Sequence, residues 1–352
     1  MSFIKDKTLG FFVKTNGMFS KPLYGGKGLA LMFHRVRPQN IMSKFEQNRR
    51  WEITPEKLES ILLFFLKNKF DIIPAHQVEN YMNSQNNRPF VVFTFDDGYA
   101  DNLDFAYPIF KKHNVPFSIF LTTAYIQGTR YPYEFLIENF ITDVNHFSFN
   151  FENKEFTFKN LNDNDKSKVF NLIYNIVKDN NNGKNIDRIQ ELIFGKYLQN
   201  NYKTIKIIEP QIVRELSCDS IVSFGLHTIN HYVMSQLSYQ EQLDEIYISK
   251  DYLRTLDIDI HTTMAYPYGG KNDINADTLK IMNVTDCKYC YTTWPGNISK
   301  NTVATLYPRY CIDSRTDEKE LQYMINGIRH FSYNGFSDKT EIEKQFETKV
   351  NG

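Results

Sequence analysis

The chain has few features that would cross-link it, anchor it or give it a strong charge. Its 352 residues include only 4 cysteines, Cys218, Cys287, Cys290 and Cys311, too few for a disulfide framework at this length. Cys287 and Cys290 form "CKYC", which is either half of a zinc site or a redox pair. No second CxxC accompanies it, and ordinary thiols are the simpler reading. No apolar run approaches a membrane span. The N-terminus, "MSFIKDKTLGFFVKTNGMFSK", lacks the unbroken apolar stretch and cleavage site of a secretory leader. An intracellular, cytoplasmic protein is therefore expected, and the sequons at Asn283 and Asn297 then carry no meaning. Neither sign of charge dominates: 41 Lys and Arg balance 41 Asp and Glu. With no long basic run, nucleic acid is not expected as a partner. The N-terminus is basic and partly amphipathic, which suits a surface helix or peripheral contact at the inner membrane surface. Nothing sets an oligomeric state.

Aromatic residues, by contrast, are abundant. With 29 Phe, 22 Tyr and 41% hydrophobic residues, the chain can bury a large core. Short apolar runs alternate with helical periodicity: "GLALMFH", then "TPEKLESILLFFLKNK" with Thr54 as N-cap and Pro55 behind it, then "FDIIPA", "AHQVENYMNS", "RPFVVFTF", "YADNLDFAYPIFKKHN" and "VPFSIFLTT". Strand–helix alternation predicts a parallel α/β architecture. The pattern breaks between about residues 131 and 210. There "HFSFNFENKEFTF" alternates like a hairpin, and "DKSKVFNLIYNIVKD" and "NIDRIQELIFGKYLQ" read as helices. This stretch carries no reactive cluster and reads as an insertion. Alternation resumes at "SIVSFGLH" and continues through "HTTMAYPYGG", "CYTTW" and "LYPRY".

Three features carry candidate chemistry. In "VVFTFDDGYADN" the carboxylates Asp96 and Asp97 follow a buried strand. In "FGLHTINHYVMSQLS", His227 and His231 are four apart where a strand is expected to run into a helix, so the first helical turn would put both imidazoles on one side. Asp97 could add an oxygen to those two nitrogens, a ligand set that suits a metal with open positions. In "AYPYGG", Tyr266, Pro267 and Tyr268 could present aromatic walls to a sugar. All three features fall at predicted carboxyl ends of strands, the face where parallel α/β barrels assemble active sites.

"TFDDGY", "HTINH" and "YPYG" together resemble the polysaccharide deacetylase family, the NodB-homology or carbohydrate esterase 4 group. The resemblance spans roughly Leu31 to Tyr310 apart from the insertion. It implies a distorted (β/α)7 TIM-like barrel over residues 28–313, preceded by an N-terminal extension (1–27) and followed by a C-terminal helix and charged tail (314–352). It also implies metal-dependent removal of acetyl groups from an N-acetylated carbohydrate. Carried across by motif, Asp97, His227 and His231 are the metal ligands and Asp96 the general base. Thr228 holds the histidine loop, and the backbone N–H of Tyr99 helps bind the oxyanion. The expected cofactor is a divalent metal. Zn²⁺ suits two His and a carboxylate, while Fe, Co and Ni share that ligand set.

Two departures from the family pattern matter. The late Leu-x-His motif that supplies the general acid is missing. "LMFHRV" near the N-terminus is similar to the version found in circularly permuted members, which makes His34 the expected acid. The arginine that pairs with the base aspartate is also missing, because Ala265 stands in its place. Either Asp96 goes without that partner or another cation serves, with Arg309 in "YPRY" the first candidate and Arg35 behind it. In the insertion, Tyr131 and Tyr133, with Glu134, are candidates to line a sugar groove. A glycan or surface-polysaccharide precursor handled inside the cell is the expected substrate. A metal-dependent amidase acting on a non-sugar amide or cyclic ureide, and a catalytically weak glycan-binding barrel, are the alternatives.

Overall fold

The computed structural model describes residues 2–180, 184–195 and 205–335. Its centre is a set of parallel strands. The first three are β1 (Gly28–Phe33), β2 (Phe90–Phe95) and β3 (Phe117–Leu121), buried at every position, as strands covered on both faces must be. β4 (Val222–Leu226), β5 (Thr263–Ala265), β6 (Tyr289–Tyr291) and β7 (Tyr310–Cys311) continue the set. Their spatial order is β6-β5-β4-β3-β2-β1-β7, so chain order and spatial order agree around a ring. A parallel bridge between Tyr291 and Tyr307, just before β7, joins the two ends. This is the (β/α)7 barrel expected from the sequence. The first and last strands are neighbours, with Leu31 opposite Tyr310 and Met32 opposite Cys311. A further short strand, Asp71–Ile72, pairs with the start of β2.

The helices follow from local chemistry. Thr54 accepts a hydrogen bond from the N–H of Lys57, and Pro55 opens the helix Pro55–Lys67. That helix buries Leu58, Ile61, Leu62 and Phe65 on one face. Ser238 and Glu241 form a capping box at the start of Tyr239–Thr255. Between barrel and helices Phe33, Phe93, Phe95, Phe110 and Phe117 pack ring on ring. The helix expected after Tyr99 begins differently. Asn102–Ala106 is a π-turn, and the α-helix runs from Tyr107 to His113. Pro108 brings no N–H to the first turn of that α-helix, and wide turns of this kind recur beside functional sites.

Between β3 and β4 the chain leaves the barrel. It forms the helix Tyr133–Asp143, an antiparallel hairpin (Phe147–Phe151 with Lys154–Phe158) and the helices Asp163–Asp179 and Lys184–Phe194. These elements share an apolar core that includes Phe140, Phe149, Phe170 and Tyr174, and Phe45 and Tyr99 from outside the insertion join it. At the opposite pole, Phe12 of the N-terminal helix packs against Ile328 and Phe331. The charged tail expected beyond residue 335 lies outside the described residues, as do residues 181–183 of the loop between the two inserted helices. No helix among the described residues is long and apolar enough to cross a membrane.

Candidate active site

Four strand ends converge on one cavity of about 670 Å³. Its walls include His34, Asp96, Asp97, His227, His231 and Tyr268. His34 follows β1, the two aspartates follow β2, His227 follows β4 and Tyr268 follows β5. Asp97 and Gly98 both adopt positive φ, 76° and 83°, which turns the chain sharply enough to aim adjacent carboxylates in different directions. A Cβ at Gly98 would lie 3.0 Å from Leu121 Cδ2 and 3.1 Å from Ile126 Cδ1, so glycine fits both the angle and the space.

The histidine pair meets by a route other than the one expected. Residues 227–233 are an irregular loop, not a helical turn. Thr228 and His231 hold φ of 63° and 60°, unusual for a non-glycine residue and rarer still for the β-branched threonine. The Thr228 hydroxyl accepts from the N–H of His231 at 3.1 Å. Glu245 accepts from the backbone N–H groups of Ile229 (3.1 Å) and Asn230 (2.9 Å) and from the Asn230 amide (2.6 Å). Left-handed residues need such external partners to persist. Glu245 is a positioning residue that sequence reasoning missed, since it lies mid-helix with nothing local to mark it.

Asp97, His227 and His231 each offer one ligand atom, and all three atoms lie within 4.8 Å of one another. Asp97 Oδ1 stands 3.6 Å from His227 Nε2 and 3.3 Å from His231 Nε2. It is buried and has no hydrogen-bond partner. Burial, with the negative charges of Asp96 and Glu134, pushes its carboxyl well above the usual range. Burial pushes both imidazoles down, so they stand neutral, as ligands must. His227 Nδ1 donates to the Ala265 carbonyl at 2.8 Å, which leaves its Nε2 lone pair facing the site. An orphaned buried carboxylate oxygen beside two neutral, oriented imidazoles fits a divalent cation.

Asp96 is tied to a different partner. Arg309, fully buried, donates to its two oxygens at 2.7 and 2.8 Å. It also donates to Thr94 Oγ1 at 3.1 Å and to the Thr292 carbonyl at 2.9 Å. Burial alone would raise the Asp96 carboxyl, but the Arg309 guanidinium more than offsets it and brings the pKa to about 2. The guanidinium absent at position 265 thus arrives from the loop before β7. His34 is half-buried. Its ring lies 4.7 Å from Trp51 and its carbonyl accepts from the Asn102 amide at 2.7 Å. Burial lowers its imidazole to about 4. The bonds flanking Tyr99 run from Ala100 N–H to Lys206 and from Ile208 N–H to Gly98. In that pattern the N–H of Tyr99 points away from the 205–208 segment.

The proposed sugar wall is only partly as expected. Tyr268 lines the cavity, 5.0 Å from the His231 ring. Tyr266 does not: it is fully buried and its hydroxyl donates to the Thr305 carbonyl. Pro267 is also buried and accepts from the N–H of Gly269. Directions alternate from residue to residue at a strand end, so "YPY" cannot present all its side chains to one side. Tyr133 is buried 5.7 Å from Tyr174, and Tyr131 packs on the same apolar core; neither lines the cavity. Glu134 does, and burial raises its carboxyl to about 7. Arg50, Trp51, Phe135 and Tyr174 complete this side, and none of them sits in a motif. A larger cavity, about 810 Å³, lies beside Lys21, Trp294 and His330, and no carboxylate among the described residues lines it.

Residues 83–290 match the family model for polysaccharide deacetylase. Among solved structures, the chain is similar to the deacetylase PplD of Streptococcus pyogenes in complex with acetate, with 19% identity and a TM-score of 0.55 over 84% of this chain and 97% of that one. It is similar to IcaB from Ammonifex degensii, with 16% identity and a TM-score of 0.54 over 86% and 98% of the two chains. A de-N-acetylase from Aggregatibacter actinomycetemcomitans shows 14% identity and a TM-score of 0.52 over 84% and 99%. At such identities these likenesses concern the fold. No curated protein matches the chain.

Proposed function

This chain belongs to the polysaccharide deacetylase family, and from that premise we propose that it hydrolyses the acetamide of an N-acetylated sugar at the Asp96–Asp97–His227–His231 centre in a metal-dependent reaction. The observation that carries this is the unpartnered, buried Asp97 oxygen facing two neutral imidazoles. Asp97, His227 and His231 would hold the cation, with Zn²⁺ suited to this donor set and Fe, Co and Ni sharing it. When bound, it supplies Lewis acidity toward the acetamide carbonyl and toward water.

The chain's own groups then divide the proton work. Asp96, kept ionised and oriented by Arg309, accepts a proton from the attacking water. The Tyr99 N–H donates to the oxygen on which charge develops, a contribution of about 2.7–4 kcal/mol in comparable sites. Acetate forms and the C–N bond breaks only as the nitrogen gains a proton. His34 is the group to deliver it. With a pKa of about 4 it is neutral at pH 7, so the proton it passes on is one released during the reaction. Glu134 is a further cavity carboxyl but belongs to no part of this scheme.

Acetate release from chitotetraose and from nucleotide-linked N-acetylglucosamine tests the reaction. Asp96→Asn and His34→Ala should each lower it about 10²–10⁴-fold while retaining metal. Release from neither of these nor from the disaccharide of N-acetylglucosamine and N-acetylmuramic acid by the metal-loaded protein would end this reading. Peripheral membrane contact is a separate expectation. Its support is a set of exposed apolar side chains near the N-terminus, Phe11, Met18, Phe19 and Leu23, of which Phe11 and Phe19 touch, interleaved along the sequence with Lys14 and Lys21. Co-sedimentation with anionic vesicles should occur, and its absence would remove the proposal.

A further inference from the structure

Arg50 is the one cavity-lining arginine with no carboxylate among the described residues to pair it. Arg315, which also lines the cavity, donates to Asp313 at 2.9 Å. Just outside it, Arg35 pairs with Asp101 at 2.8 Å and Arg309 with Asp96. Arg50 instead lies over the Trp51 ring, 4.8 Å from its centroid, and donates to the Tyr174 hydroxyl at 3.2 Å. Its Nε is buried and has no hydrogen-bond partner. A guanidinium N–H withdrawn from water without an acceptor is costly, and native proteins rarely retain one without a use. Glu134 lines the same cavity and feels the Arg50 charge, but the two form no ion pair or hydrogen bond.

The residue's neighbours say where its ligand would lie. Trp51, which supports the guanidinium, also packs on His34, the group assigned to the leaving nitrogen. Tyr174 comes from the inserted helix Asp163–Asp179, which also brings Lys178 and Asp179 to the cavity wall. Arg50 therefore stands between this inserted wall and Trp51, on the side of the cavity that holds His34. The planar fork of arginine suits paired anionic oxygens, and stacking on an aromatic ring keeps it presented.

We propose that Arg50 receives an anionic group, phosphoryl or carboxylate, carried by the sugar substrate next to its acetamido ring. The substrate class is then an acidic N-acetylated glycan or a glycosyl phosphate, not a neutral N-acetylhexosamine polymer. This rests on the deacetylase reading of the cavity.

Equilibrium binding to metal-loaded protein in the Asp96→Asn background separates the two ideas. The probes are UDP-N-acetylglucosamine for phosphate, the disaccharide of N-acetylglucosamine and N-acetylmuramic acid for carboxylate, and neutral chitotetraose. Arg50→Gln should weaken one or both anionic probes by about tenfold or more and leave chitotetraose unchanged. Arg50→Lys should recover part of that loss. Whichever anionic probe loses affinity identifies phosphate or carboxylate as the group. Equal weakening of all three probes would make Arg50 a structural residue and overturn the proposal. So would no change in any, or tighter binding of chitotetraose than of both anionic probes. If wild-type protein releases acetate from none of the three, the deacetylase function fails, while the Arg50 binding result is judged by itself.

Discussion

The active-site cavity has two walls built on different principles. The barrel wall is made at strand ends, where each functional side chain lies within a few residues of a buried strand. It holds its charges in specific pairs and its backbone in left-handed turns, at Asp97, Thr228 and His231. The inserted wall, in its described residues, is held by aromatic burial: Phe170 stacks on Phe45 at 4.8 Å, and Phe140 packs on Phe147 at 4.7 Å. In the proposed reaction, the first wall fixes the position of the reacting groups. The second sets what can lie against them, through Glu134, Phe135 and Tyr174. The contrast teaches that chemistry and selectivity can be carried by parts of one cavity with separate sources of stability.

Breaking the barrel wall should have the largest effect. Arg309→Met leaves Asp96 buried without its guanidinium. Loss of one partner of a buried ion pair costs about 3–5 kcal/mol, and activity should fall with it. The pH dependence gives the sign. The folded-state pKa of Asp96, about 2, lies below its ordinary 3.8. Its contribution to stability is thus fully present above pH 3.8 and is lost as pH falls through 3.8 towards about 2. In the variant, burial without the guanidinium raises the carboxyl, and that contribution becomes a penalty at neutral pH. Melting temperatures of metal-free wild type and variant should therefore differ most near pH 7 and converge below 3.8. A constant gap across that range would contradict the pairing.

Breaking the inserted wall should be milder for catalysis. Phe170 is fully buried, and Phe170→Ala should loosen its surroundings by about 3–5 kcal/mol. Hydrogen exchange should rise in Asp163–Asp179 and stay unchanged in β1 and β2. Metal content should be unaffected, and the loss of activity should appear in KM. Faster exchange throughout the barrel would show that the two walls are one cooperative unit.

The same contrast explains what could be read from the sequence. The convergence of Asp96, Asp97 and His227 was legible because a strand end needs only local sequence to place a side chain at that face, whereas His231 was legible by its spacing from His227 and not by the route that brings it there. Arg309 was legible as a replacement because Ala265 left a charge requirement unmet. The barrel followed from the alternation of strands and helices together with the motifs. Tyr266 and Tyr133 were misread because facing depends on register and packing, which composition does not show. Arg50, Trp51 and Glu245 carry no motif. They reach the site through tertiary packing, and the loop carrying His231 is shaped by a glutamate fourteen residues away.

The most direct test of the central claim is the metal content of purified protein, wild type against Asp97→Ala and Asp96→Asn, after equilibration with Zn²⁺ and removal of free ion. Wild type and Asp96→Asn should each retain about one divalent ion per chain, as three protein ligands with an open position allow, and Asp97→Ala should retain almost none. Equal retention by all three proteins, or by none, would contradict the assignment of Asp97, His227 and His231 as the metal centre.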